Sequence, residues 1–316
     1  MAWFFLLFTL VFLEANPFKI DFPVVEELSN EDYFNAQAKL HAINIDSLLE
    51  QLYPHHWTHS KYYKAKSPKE IFRGRLYKSL NQVLTHPAEN KFPQAGLLKI
   101  NGGGDRCIVL FCSYDKSYPD MLKNVISNLK EIGYNGFIWY RIGGYPNPTG
   151  VEIQYAGVPY AFKIFMIEEA FKLGFRFVLW LDSAMIPIRN PDPLFDLIKK
   201  EGALIKEIGP QNDYILPSTL DEIERLTGVN VLKYKHIRMS IFGLDREAHF
   251  VPLFLKAYRE MVYLGTPFFS NLPEEYVITA LKQIYFPNLP TAKVLLQGPT
   301  YFSARQKGFF FVNKHH

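Results

Sequence analysis

Residues Phe177 to Leu181, FVLWL, form an apolar run that stops at a carboxylate, Asp182, and gives way to a proline-punctuated loop and a helical pattern, SAMIPIRNPDPLFDLIKKEG. An uninterrupted apolar run of this length suits a strand buried on both faces, and such strands occupy the middle of an α/β sheet. In open α/β sheets the crevice beyond the carboxyl ends of the strands takes the ligand, so Asp182 stands where chemistry is expected. Its bland alternative is a turn carboxylate that accepts a backbone N–H.

The chain around this run alternates. Cys107 to Tyr114 is a second buried run, and Met121 to Ile132 is an amphipathic helix with Leu122, Val125, Ile126 and Leu129 on one stripe, ended by Gly133. Phe137 to Ile142 is another strand. Tyr160 to Leu173 is a helix with Phe162, Phe165, Met166 and Ala170 inward and Glu168, Glu169 and Lys172 outward, stopped by Gly174. Strand, helix, strand, helix, strand predicts an α/β fold with a mainly parallel sheet and helices on both faces, Rossmann-like in its first half. Beyond Asp182 the pattern loosens. Short strands are expected at Ile186–Arg189, Ala203–Ile208 and His236–Leu244, and helices at Asp192–Lys200, Ser218–Leu226, Ala248–Leu264 and Asn271–Ile284.

The region before this core reads as helical. Ser67, Pro68 and Glu70 make a clean helix start, with a helix running to about Thr85 before His86 and Pro87. His55 and His59 share metal-pair spacing, but Pro54 and the aromatic-polar mixture around them favour a surface loop. Gly102, Gly103 and Gly104 precede a strand rather than opening a helix, so they belong to a linker and not to a phosphate loop. The expected organisation is a helical region with linker over 16–104 and a catalytic domain over 105–316.

At the N-terminus, Ala2 to Leu13 is apolar except for Thr9 and is followed by Glu14, Ala15 and Asn16. About 12 residues fall short of the roughly 20 that span a bilayer. A cleaved signal peptide over residues 1–15 is the expectation, placing the chain in the secretory pathway or exporting it. The alternatives are membrane association through this run, or a cytoplasmic protein that buries it as a helix.

Composition sets the remaining bounds. A chain of 316 residues is long enough for a full core, and 48% hydrophobic with 21% charged residues is globular. Thirty-five Lys and Arg against 31 Asp and Glu leave a net charge of only +4, without the clustered basic patch that nucleic acid requires. Cys107 and Cys112 lie at odd spacing on one strand, so they face opposite sides and do not pair with each other.

Three segments together carry a family resemblance: CIVLFCSYDKSYPDMLKNVISNLKEIGYNG, then VPYAFKIFMIEEAFKLGFRFVLWLDSAMIPIRNPDPLF, and more faintly FFSNLPEEYVITALKQIYFPN. Over roughly residues 105 to 285 the chain resembles the GT-A glycosyltransferases of the nucleotide-diphospho-sugar transferase superfamily, with WLD before a Pro-Leu-Phe helix as the most characteristic element. The resemblance implies a nucleotide sugar as donor and a glycan, lipid or protein hydroxyl as acceptor. It implies that Tyr114 and Asp115, after the first strand, hold the nucleotide base, and that Lys163 is directed towards the nucleotide or its diphosphate. It casts Asp182 as the first acid of the DxD motif that holds Mn²⁺ or Mg²⁺, since hard cations take oxygen ligands.

This chain departs from that motif. It reads Asp182, Ser183, Ala184, and Ala184 ligates nothing. Ser183 could offer a weaker oxygen, and the tail's His315 or His316 a nitrogen. Glu274 and Glu275 resemble the acidic pair opening the last helix of relatives, Glu275 being the better base because Asn271 and Glu274 also suit a capping box. Trp139, Tyr140, Tyr145, Tyr155 and Tyr160 are expected around the cleft, where aromatic faces stack on sugars. The missing second acid motivates the alternative of an inactive GT-A-like domain that binds a glycan or protein. A nucleotidyltransferase needs a glycine-rich basic loop after the first strand, and SYDKSYP has neither glycine nor a basic cluster.

Overall fold

The computed structural model describes residues 94–112, 117–143, 146, 158, 160–209, 215, 217–268, 270, 272–292, 296–297 and 308–312. The signal-peptide and helical expectations for residues 1–93, including His55 and His59, lie outside the described residues. No helix among the described residues is long and apolar enough to cross a membrane.

The main sheet is built from β1 (Gln94–Ile100), β2 (Arg106–Cys112), β3 (Gly136–Ile142), β4 (Phe177–Leu181), β6 (Ala203–Leu204) and β9 (Ile241–Asp245). Their spatial order is β1-β3-β2-β4-β9-β6. Only β3-β2 and β2-β4 pair in parallel; β1-β3, β4-β9 and β9-β6 are antiparallel. The expected mainly parallel sheet is therefore a mixed one. A buried apolar strand looks alike in either direction, and β9 returns after an irregular excursion instead of one crossover helix, so nothing in its sequence signals its orientation. The segment expected to be a linker also contains β1, which edges the sheet. Its glycines form the turn between β1 and β2, where Gly103 has φ +75° and donates to Ile100 O at 3.3 Å.

Two smaller sheets hold the rest. β5 (Met185–Pro187) joins β11 (Phe310–Val312), which pairs with β10 (Leu296–Gln297), while β7 (Glu207–Ile208) pairs with β8 (His236–Ile237). The runs expected as single strands at Ala203–Ile208 and His236–Leu244 are each broken in two and divided between sheets.

Period-two alternation splits the core into two layers. Along β4, Phe177, Leu179 and Leu181 pack with α1 (Tyr118–Glu131) and α3 (Asp192–Glu201), whereas Val178 and Trp180 pack with α2 (Phe162–Lys172), α5 (Val251–Leu264) and α6 (Pro273–Tyr285). A fully buried leucine or valine is worth about 1.5–3 kcal/mol relative to exposure, so both faces hold the strand in register. Helices do cover both faces, as expected. Cys107 and Cys112 are free and fall in opposite layers. A third cluster joins Ile223 of α4 (Pro217–Thr227) to Tyr276 and Ala280 of α6.

The α2 helix corrects a further expectation. Glu168 and Glu169, read as outward, are buried, because α5 covers one side of the helix and the end of β3 the other. Glu168 meets the Arg259 guanidinium of α5, and Glu169 takes a two-pronged contact from Arg141 of β3 at 2.7 and 2.8 Å.

Candidate active site

The carboxyl end of β4 carries the chemistry-bearing cluster. Asp182 leaves the strand with its backbone N–H donating to Ser240 O at 3.0 Å and its carbonyl accepting from Met185 N at 2.9 Å, so the turn is held at both ends. Its side chain remains 34% exposed. Trp180 Nε1 donates to Asp182 Oδ1 at 3.0 Å, and Lys163 Nζ lies 3.1 Å from the same oxygen. Both contacts fall on Oδ1, which leaves Oδ2 for a bound group.

Lys163 projects from the first turn of α2 into the interior and is only 5% exposed. Its ammonium also meets Glu274 Oε1 at 2.7 Å and Met239 O at 3.2 Å. Burial opposes the charge, but Asp182 and Glu274 outweigh it and raise the lysine above its ordinary value. The resemblance directs Lys163 towards a nucleotide; here its donors meet protein oxygens.

Glu274 and Glu275 open α6, where the N-terminus of a helix favours negative charge. Glu274 is 3% exposed, and burial pushes it up to about 7 against the pull of Lys163. Glu275 is 6% exposed; burial raises it, yet the hydrogen bond and charge of His236 together with Lys163 carry it below the usual carboxylate range. Glu275 Oε1 accepts from Met239 N at 3.1 Å and Oε2 pairs with His236 Nε2 at 2.8 Å. Both oxygens are thus engaged. The Glu274 carboxylate turns to Lys163, while Asn271, its partner in the expected capping box, lies outside the described residues.

A feature missed in the sequence binds these parts together. The link Arg238–Ser240, between β8 and β9, runs as a strap across the site. Thr279 Oγ1 accepts from Ile237 N at 3.0 Å, Glu275 accepts from Met239 N, and Met239 O accepts from both Lys163 and Trp180 Nε1, the latter at 3.1 Å. Ser240 O then receives Asp182 N. A polar break in an apolar run, KHIRMSIFG, was the available signal.

The other expected site residues divide. Ser183 follows Asp182 with its side chain buried. Tyr114, Asp115, His315 and His316 lie outside the described residues, as do Tyr145 and Tyr155. The pairing of Val312 with Met185 does bring the chain just before the tail beside the turn that follows Asp182. Trp139 and Tyr140 are core residues and not cleft residues, the Trp139 indole donating to Glu169 Oε2 at 3.0 Å. Tyr160 is half-buried and holds φ +60°, left-handed for a bulky residue, with its ring 5.3 Å from Lys163 Nζ.

The described residues do not fit a divalent cation at a DxD motif; His315, the other expected ligand, lies outside them. Asp182 Oδ1 already faces an ammonium, the Ala184 side chain has no oxygen, and among the described residues no three His, Cys, Asp or Glu side chains are grouped to hold a metal.

Fold and site thus define a mixed α/β protein with a tethered, part-exposed aspartate at the end of a buried central strand. No family model matches the chain, and no curated protein matches it. Solved structures similar to it include mouse xyloside xylosyltransferase 1, at 9% identity and a TM-score of 0.40, covering 67% of this chain and 98% of that one. Another is a glycosyltransferase involved in the glycosylation of the major capsid of PBCV-1, at 16% identity and a TM-score of 0.33, covering 66% of this chain and 94% of that one. Both are glycosyltransferases.

Proposed function

We propose that the chain transfers a sugar from a nucleotide-diphosphate donor to a hydroxyl of a glycan, lipid or protein acceptor. The observation that carries this reading is Asp182: a carboxylate at the carboxyl end of the central strand, fixed through one oxygen by Lys163 and Trp180, with the other left to a ligand. A carboxylate held in this way accepts a hydroxyl proton or a sugar hydroxyl without first having to be ordered. Glu274 and Glu275 act behind it as positioning residues, since their oxygens are taken by Lys163, Met239 N and His236. In this reading Tyr114 and Asp115, which follow β2 in the sequence, hold the nucleotide base.

A thermal-shift panel of UDP, GDP, CMP and their sugars on the wild-type chain and on Asp182→Asn tests the proposal. A ligand at 100 times its Kd stabilises by about 2.7 kcal/mol, which for a domain of this size is a rise of roughly 5–10 °C. One nucleotide and its sugar are expected to shift the wild type, with the sugar's added shift lost in Asp182→Asn. If no nucleotide shifts either protein, and no nucleotide sugar is hydrolysed by the wild type, the proposal is wrong.

A further inference from the structure

The oxygens at the end of β4 already enclose a cation. Lys163 Nζ lies 3.1 Å from Asp182 Oδ1, 2.7 Å from Glu274 Oε1 and 3.2 Å from Met239 O. Two carboxylates and a carbonyl are the hard donors that a divalent ion would choose. An ammonium has three N–H donors, and here each has an acceptor. The rings of Tyr160 and Trp180, with centroids 5.3 and 5.8 Å from Nζ, close the enclosure with their electron-rich faces. Burial disfavours the charge, yet the carboxylates keep the lysine protonated.

A divalent ion bound to Asp182 at about 2.0–2.6 Å would share its carboxylate with this buried ammonium, like charge near like charge. The position where a second acid would draw such an ion away from the lysine is Ala184. We propose that the Lys163 ammonium is the resident cation of this site, and that the nucleotide diphosphate binds with no divalent ion held by Asp182. The second half of this statement rests on the sugar-transfer reading; the first half does not.

The cage has a consequence that an ordinary buried ion pair lacks. Truncating the lysine leaves two carboxylates and a carbonyl facing a vacated space, so Lys163→Ala should convert the cage into a metal site. The full-length chain, stripped with EDTA, is titrated calorimetrically with Mn²⁺ alone and with UDP and GDP, in EDTA and in Mn²⁺, for wild type, Lys163→Ala and Lys163→Ala/Glu274→Gln. In the wild type, nucleotide Kd is expected to agree within about twofold between EDTA and Mn²⁺, with no Mn²⁺ site of its own. Lys163→Ala is expected to bind Mn²⁺ at least tenfold more tightly than the wild type and to gain melting temperature on adding it, and removing Glu274 should weaken that binding again.

A tenfold loss of wild-type nucleotide affinity in EDTA would overturn the proposal while leaving sugar transfer standing. So would a wild-type Mn²⁺ site abolished by Asp182→Asn, or a folded Lys163→Ala that gains no Mn²⁺ affinity. Should Lys163→Ala fail to fold, the double variant, with one carboxylate fewer, and the wild-type comparison in EDTA still decide. If neither UDP nor GDP binds under any condition, the metal-free nucleotide binding falls, the sugar-transfer reading is left to its own panel, and the Mn²⁺ titrations decide whether the lysine fills the cage.

Discussion

At Glu275 both carboxylate oxygens are committed to the strap, one to Met239 N and one to His236, and the strap in turn carries Asp182 through Ser240. In the sugar-transfer reading such a residue acts by holding other groups in place. Glu275→Ala strands a buried N–H and a buried imidazole, which should cost about 2–4 kcal/mol. Glu275→Gln keeps an oxygen for Met239 N and should cost about 1 kcal/mol. Urea unfolding and turnover on the same samples check this: activity should follow stability through the two variants. A fully stable Glu275→Gln with turnover down a hundredfold or more would instead make Glu275 a direct base. Asp182 was legible in the sequence because a buried strand ends on it. The partners of Lys163 were not, since Asp182, Met239 and Glu274 come from three other segments and only packing brings them together. Arg141 and Glu169, 28 residues apart, were hidden for the same reason.

Among the elements, β9 shows how tightly the sheet accepts its cover. Gly243 lies opposite Leu179 on β4 and Leu204 on β6, and a Cβ placed there would run into Ile198 Cδ1 and Cγ1 of α3. Helix α3 sits this close to the sheet because the strand has no side chain at that point. Gly243→Ala should therefore destabilise by about 1–3 kcal/mol, read as a lower urea midpoint at unchanged slope. An unchanged or higher midpoint would mean that Ile198 turns aside freely and that the close seat is not needed. The helices and buried strands of the first half were legible, because periods of 3.6 and two are written in the residues themselves. Strand direction was not. The run IFGLD of β9 buries the same kinds of side chain whichever way it points, and it is the long return of the chain that sets it antiparallel to β4; β1, read as linker, is reversed by its short glycine turn into β2. The breaking of His236–Leu244 was obscured too, because the Lys163, Glu275 and Asp182 contacts that bend it come from elsewhere.

For the molecule as a whole, two carboxylates buried on the α2 side of the sheet set an expectation for pH. Burial lifts Glu168 from its ordinary 4.5 to about 7 despite the Arg259 guanidinium and Lys172, and among the described residues its Oε2 meets no hydrogen-bond donor. Burial also lifts Glu274 from 4.5 to about 7. An acid whose folded value is raised binds its proton more tightly folded than unfolded. The stability it contributes is complete below about pH 4.5 and is lost as pH rises towards 7. Glu275 has the opposite sign: its folded value is lowered, so its contribution is present at neutral pH and is lost on acidification. The unfolding free energy should thus fall between about pH 5 and 7.5, by at most about 3 kcal/mol for each raised acid, since each tenfold gain in proton affinity is worth about 1.4 kcal/mol. Glu168→Gln removes one of the two titrations and should flatten the fall by up to half, while Glu275→Gln, which removes a charge that helps raise Glu274, should flatten it less and also weaken the loss on the acid side. Urea midpoints at half-unit intervals of pH for the three proteins measure this directly. A wild type whose stability rises or stays level across the window, or a Glu168→Gln profile parallel to it, would show that Arg259 keeps Glu168 ionised in the fold, so that the contact between α2 and α5 is an ordinary ion pair.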